Sequence, residues 1–338
     1  MTWASWLRWT VGLAISAALV WLAYRDVPLD EMALLMVRSR RPELVLQVAS
    51  TIVTMVLRGI RWRLCFEARD PISNAQSVAA YSIGSASGQV IPARLGDLVR
   101  VYVLSQATGV SKSKGIGTLV VERLSDLFAV LLILALLLPF FSLPSWIRIS
   151  LGVGAGVAVA AFAAVYLLGR HSLNLSVPAW ASGNRVLAGG IRLLAQLLQG
   201  FSVVNDLPRA CSILLLSFCI WIVQASYYFW ALEGMNLPLG WPVGALFTTV
   251  LALVTIVPAG PGFAGSFDLA AQSVLGLFNV GRTEALAYLN LTRLTTLVGI
   301  VLTALGGVAL LYLGSRNTAE TGALLREAGI PEGSGENR

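Results

Sequence analysis

The sequence predicts an all-α, polytopic integral membrane protein with about six full crossings and two re-entrant helical hairpins, arranged as an inverted repeat. Three observations predict it. Of 338 residues, 57% are hydrophobic and only 12% are charged, whereas about a quarter are charged in an ordinary soluble domain. Several runs reach the roughly 20 apolar residues that cross a bilayer, among them "TLVVERLSDLFAVLLILALLLPFF" and "ALAYLNLTRLTTLVGIVLTALGGVALLYLG". Two other apolar stretches are each interrupted by proline, and similar sequence follows both.

Taken in order, the crossings fall at about residues 9–24, 43–60, 116–138, 146–168, 210–232 and 285–313. The first follows Arg8 like a signal peptide, but no convincing small-residue cleavage site follows it, so it reads as a retained helix. Residues 75–107 break at Pro92, and residues 241–279 break at "PAGPG". Arms of roughly 15 residues reach the middle of a bilayer and return; a kinked crossing plus an interfacial helix is the alternative. "RVLAGGIRLLAQLLQGF" has the spacing of an amphipathic interfacial helix. Residues 1–315 form one transmembrane domain, with repeat halves at about 75–138 and 241–313. Residues 316–338 form a cytoplasmic tail, expected to be partly disordered.

Val110 matches Val280 and Arg123 matches Arg293 at one common offset, with Pro92 and Pro258 close to it. Each half reads as a hairpin, a polar turn, then a crossing helix with arginine near its start. Two crossings lie between the equivalent helices, so the halves have opposite orientation, an architecture of secondary transporters. Basic residues concentrate on one side, which places both termini in the cytoplasm of a cell (inner) membrane protein. The outer segment 25–42, with Arg25, Arg38, Arg40 and Arg41, runs against that bias.

The net charge of +7 fits arginines facing anionic lipid, and no nucleic-acid partner is expected. Cys65, Cys211 and Cys219 have no ligand spacing and read as small core residues, and His171 is the only histidine. No metal site, cofactor or catalytic residue is therefore expected, and no nucleotide loop or nucleophile elbow is present. The chain reads as something other than an enzyme.

Charge inside a membrane marks function or pairing. Arg94, Asp97 and Arg100 share one helix face, spaced i, i+3, i+6. Pro92 ends the entering arm and the returning arm starts near Leu95 and Gly96, so its N–H groups point to the tip. A guanidinium beside a helix N-terminus suits phosphate; a closed Arg–Asp pair is the alternative. Glu122, Arg123 and Asp126 lie early in their helix and call for arginines of the hairpins or of "RGIRWR", as a structural network or a gate. Asp268 and Arg293 form the matching set in the other half and are candidates to pair. Pro258, Gly260, Pro261 and Gly262 allow an irregular tip. "GSASG" suits close helix packing. Arg58, Arg61 and Arg63 read as snorkelling anchors, with headgroup capture by Arg58 and Arg61 as the sharper alternative.

These motifs resemble the flippase-like integral membrane family that shares the transmembrane region of lysylphosphatidylglycerol synthases. The carriers are "RGIRWRLCF", "VIPARLGDLVRVYVLSQATGVSKSKGIGTLVVERLSDL" and "VPAGPGFAGSFDLAAQSVLGLFNVGRTEALAYLNLTR", and the resemblance covers about residues 5–315. It implies movement between leaflets of a lipid with a phosphate-containing or modified polar headgroup. The matching positions are Pro92, Arg94, Gly96, Asp97, Arg100, Glu122, Arg123, Asp126, Pro258, Gly260, Gly262 and Asp268. Ala93 stands where the family pattern has glycine, and Asp97 and Asp268 where it has glutamate. Without the soluble synthetase domain, aminoacylation by this chain is not expected. The expected partner is membrane lipid, an anionic phospholipid or a lipid-linked headgroup. A subunit presenting such a lipid to a partner synthetase or transferase, and a small-anion transporter, are the alternatives.

Overall fold

The computed structural model describes residues 18–90, 95–141, 156, 160, 206–255 and 265–327, the last stretch with side chains only to residue 313. Pro92, Arg94, Pro258, Gly260, Pro261 and Gly262 lie outside the described residues. So do nearly all of the expected 146–168 crossing, the interfacial segment 185–201 and the end of the tail.

Every regular element among the described residues is helical. After a helical stretch at 18–24 come α1 (Leu29–Val37), α2 (Arg41–Leu64), α3 (Asn74–Val90), α4 (Gly96–Thr108) and α5 (Lys112–Leu137). A 3-10 turn extends α5 over Leu138–Phe140. Beyond residue 206 follow α6 (Leu207–Gly234), α7 (Gly240–Val254), α8 (Ser266–Gly276) and α9 (Arg282–Glu327).

Four described helices, α2, α5 with its 3-10 turn, α6 and the part of α9 up to Leu313, are long and apolar enough to cross a membrane. The shortest of them, the 24 residues of α2, measures about 36 Å, against a hydrocarbon core of about 30 Å. The outward face of α9 carries Leu294, Val298, Val301, Leu302 and Leu305, all exposed, at the spacing of one helical stripe. In water such a stripe would be a liability. In lipid it is the solvent-matched surface.

Local sequence sets the ends. Asp206 caps α6 by accepting the Arg209 N–H, with proline in the first turn. Gly109 ends α4 at φ 74°, a left-handed value that glycine adopts without steric cost. Gly265, at φ 84°, opens α8, and its N–H donates to Asp268 Oδ2 at 2.7 Å.

The short helices pack in pairs, α3 on α4 and α7 on α8. Glycine makes the first pairing possible. A Cβ on Gly84 would stand 2.5 Å from Arg100 Cβ and 2.8 Å from the Gly96 carbonyl, and one on Gly96 would stand 2.7 Å from Gly88 Cα. The most extensive contact joins α6 to α2, and α9 lies along α3. Two apolar clusters result. One gathers Tyr228, Phe247 and Tyr288 between α5 and α9, and the other gathers Trp62, Phe66, Tyr81 and Leu104 among α2, α3 and α4.

Three expectations are corrected. "RGIRWR" is the last part of α2, and Arg61 is fully buried rather than snorkelling: the i, i+3 spacing turns Arg58 and Arg61 inward. Arg63 turns instead to the next loop, donating to the carbonyls of Ile72 at 2.5 Å and Glu67 at 3.1 Å. Cys65 is buried, but Cys211 and Cys219 face outward from α6. The segment 25–42 contains a nine-residue helix, α1.

The 65–73 loop is further fixed by Lys114, which reaches Glu67 at 2.9 Å and Asp70 at 2.7 Å. The Lys114 hydrogen bond holds the Glu67 carboxyl below its ordinary value, with Arg69 assisting.

Candidate functional site

α2, α4 and α5 bring their charged residues to one place. Arg100, 1% exposed, donates from Nη1 and Nη2 to the two oxygens of Glu122, each at 3.0 Å. Glu122 is itself fully buried. Its Oε1 also lies 3.5 Å from Arg61 Nη2. Arg61 completes its coordination on Asp126, at 2.5 and 3.3 Å, and on Ser217 Oγ of α6 at 2.8 Å. Asp126 also accepts the Trp221 indole N–H at 3.0 Å.

The network continues outward. Asp97 lies 3.1 Å from Arg100 Nη2 and accepts from Arg123 Nη2 at 2.5 Å. Arg100 is sandwiched by aromatic faces, its guanidinium carbon 5.0 Å from the Trp62 ring centre and 4.5 Å from that of Tyr81, an attractive arrangement for a cation. Paired and bidentate, these charges tolerate burial that would expel an isolated one.

Arg58 differs from the other three arginines. It donates to Gln224 Oε1 at 2.8 Å and to Tyr81 Oη at 3.4 Å, and lies over the Trp221 ring. Its Nε is buried without a partner, as are those of Arg61 and Arg100, but no carboxylate among the described residues pairs with Arg58. A cavity of about 680 Å³ opens beside it, and its polar lining includes Arg58, Asp97, Arg123, Asp126 and Gln224. Leu127, Leu251, Phe267 and Ile300 line the apolar remainder.

The second half carries a smaller counterpart. Asp268, 1% exposed, receives both Nη atoms of Arg293 at 2.7 and 3.1 Å and the Tyr24 hydroxyl at 3.1 Å. The Asp97–Arg123 and Asp268–Arg293 pairs occupy matching places: each joins the first turn of the returning short helix to the following long helix.

Of the candidates inside the described residues, Gly96, Asp97, Arg58, Arg123 and Asp126 reach the cavity. Arg61 and Arg100 stand behind it, their Nη groups spent on carboxylates, while Asp268 and Arg293 form their own centre. The sequence missed Trp221, Gln224, Ser217 and Tyr81. Only Gln224 gave a signal, as a polar residue within the apolar run "FCIWIVQASYYFW".

A multi-pass helical bundle with an ion network and a cavity in its interior defines an integral membrane protein. The profile of the lysylphosphatidylglycerol synthase TM region matches residues 9–306, and the chain belongs to that family. It is similar to a UPF0104 membrane protein of Methanocaldococcus jannaschii, 30% identical over 233 residues, which cover 68% of this chain and 94% of that protein. No solved structure matches the chain.

Proposed function

We propose that the chain moves a polar-headed lipid between the leaflets of the cell membrane, without chemistry on it. The cavity carries this reading, because both charged and apolar side chains line it, and a phospholipid offers partners for both. At about 680 Å³ it falls within the range of small-molecule sites. The repeated order of short helix, break, short helix and long helix supports alternating access, with one half rocking against the other. Both termini are cytoplasmic in this proposal. Arg94 remains a headgroup-phosphate candidate in this proposal, and Pro92, Pro258, Gly260, Pro261 and Gly262 the hairpin tips.

Leu251→Trp tests the cavity. Filling the apolar wall is expected to abolish transfer of a fluorescent phospholipid in proteoliposomes while the protein still inserts and keeps its melting temperature. Undiminished transfer would remove the cavity from the mechanism. The family's description favours a second reading, in which the chain presents lipid to a partner synthetase or transferase. Purified protein that transfers no lipid but co-purifies with a soluble transferase would favour it.

A further inference from the structure

We infer that Glu43 is a proton-binding site at the end of the bundle away from the charged network, and that the proton it takes fastens α9 to α2 beside the cavity. The inference goes beyond the translocation reading and stands without it. It starts from the inward stripe of α2, where Glu43, Gln47, Thr51 and Thr54 are all buried, Gln47 completely. Steps of four, four and three residues keep them on one helix face. An acid in the first turn of a helix ordinarily serves the dipole from the water side, but Glu43 is only 8% exposed.

The two Glu43 oxygens differ. Oε1 lies 2.6 Å from Nη2 of the half-exposed Arg40. Oε2 is buried without a partner, a costly position for an ionised oxygen. One turn inward, Gln47 Nε2 is likewise buried without a partner, while its Oε1 accepts the Thr295 hydroxyl of α9 at 2.7 Å. That hydroxyl has a single hydrogen, and it also reaches the carbonyls of Leu291 at 3.0 Å and Thr292 at 3.1 Å. The Gln47 amide can therefore turn over and keep its contact, with Thr295 donating to a carbonyl and accepting from Nε2. Turned, Gln47 offers its oxygen to the carboxyl one turn away. A protonated Glu43 donates to it, and an ionised Glu43 has no hydrogen to give. Proton uptake from water onto Oε2 thus exchanges Arg40 for a chain Glu43–Gln47–Thr295 from α2 to α9, and return of the proton to water restores the Arg40 pair.

The charged group that meets Glu43 among the ion pairs of the described residues is Arg40, with Arg41 next to it in sequence. α6 brings Gly234 against the Glu43 Cβ, with Glu233 beside it in sequence, and α9 brings the neutral Thr295 hydroxyl to Gln47. The fastened helices bear on the cavity. A Cβ on Gly299 of α9 would stand 2.7 Å from Thr51 Cβ, and one turn further Met55 of α2 and Ile300 of α9 line the cavity. Closing α9 onto α2 holds that wall still.

The test is hydrogen–deuterium exchange of residues 289–300, the α9 turns around Thr295, on the full chain in detergent. It runs from about pH 4 to about pH 8, which includes the ordinary range of a glutamate, with the intrinsic pH dependence of exchange divided out. Wild-type protection is expected to be greater at the acid end by on the order of tenfold, the ratio for one hydrogen bond. Glu43→Gln carries a permanent N–H donor and is expected to show the acid-end protection throughout; Glu43→Ala is expected to show the lower value throughout. Arg40→Gln removes the competing cation and is expected to move the transition to higher pH, which a merely structural Glu43 would not do. Wild-type protection that ignores pH, or a pH response that survives in Glu43→Gln, overturns the inference. Should the Glu43 variants fail to fold, the wild-type and Arg40→Gln titrations decide it, and an unmoved transition in Arg40→Gln overturns it. In proteoliposomes, acid on the Glu43 side is expected to slow phospholipid transfer by the wild-type chain and to leave Glu43→Gln slow at either pH. Transfer by the wild-type chain that is indifferent to pH overturns the link to the cavity. If no lipid crosses under any condition, the translocation reading fails, and the exchange measurement still decides the proton site.

Discussion

Arg61 is a guanidinium with no exposed surface that bridges two carboxylates of α5 and a serine of α6. Its value is conditional: the pairs offset a desolvation cost that remains when either side is removed. Arg61→Met is therefore expected to lower stability by about 3–5 kcal/mol, because Asp126 loses its cation and Glu122 keeps only Arg100. Thermal unfolding in detergent measures it, and a change within half a kcal/mol would show that the network bears no load. The charged positions were legible in the sequence, because an acid or an arginine in an apolar run stands out. That Glu122, Arg123 and Asp126 needed arginines from the hairpin or from "RGIRWR" was legible as well. Their division among those arginines was not, since it depends on how α2, α4 and α5 are rotated about their axes. Ser217, Trp221 and Tyr81 were invisible for another reason: each is ordinary in a membrane helix until a charge is placed against it.

At the scale of elements, the α3–α4 hairpin shows how contact distance is written in sequence. Gly84, Gly88 and Gly96 let the two backbones meet, and that meeting places Arg100 against Tyr81 and Asp97 at the cavity edge. Gly84→Val is expected to force the arms apart, at a cost of about 1–3 kcal/mol or more, and to abolish lipid transfer in proteoliposomes. Retained transfer with an unchanged melting temperature would show that the arms need not touch. The packing purpose of "GSASG" was legible from its small-residue spacing. The short α1 was not, because nine residues with arginines on both sides carry no usable period. The end of α2 was placed too early for a related reason. A cluster of arginines looks like an exit into water, and here Arg58, Arg61 and Arg63 all find protein partners instead.

On the scale of the whole molecule, the two halves share a frame but not its reinforcement. Both have an aspartate in the first turn of the returning arm, held by an arginine of the long helix. Shifted by the offset that relates Arg123 to Arg293, Glu122 falls on Thr292 and Asp126 on Thr296, and there the Tyr227 hydroxyl donates to the Thr292 backbone carbonyl and meets the Thr296 hydroxyl. Neutral hydrogen bonds have replaced a charged core. Local stability follows such contacts, so the amides of α8 are expected to exchange with deuterium sooner than those of α4. The opposite order would place the stiffer half at the carboxyl end. The matching arginines, the order of elements and the threonines at the places of Glu122 and Asp126 were legible in the sequence; the Tyr227 hydroxyl that meets them was not, because it comes from α6.

The Tyr24–Asp268 hydrogen bond spans 244 residues. The helical stretch at 18–24 is tied there by further contacts: Gln272 donates to the Ala23 carbonyl, and Asn290 donates to the Tyr24 hydroxyl. The 18–24 stretch is therefore docked by helices that lie far along the chain from it, and contacts so distant in sequence form late. Until α8 and α9 are inserted, that segment has no protein to receive its hydroxyl. A chain arrested before residue 268 would therefore lack these contacts to its 18–24 stretch.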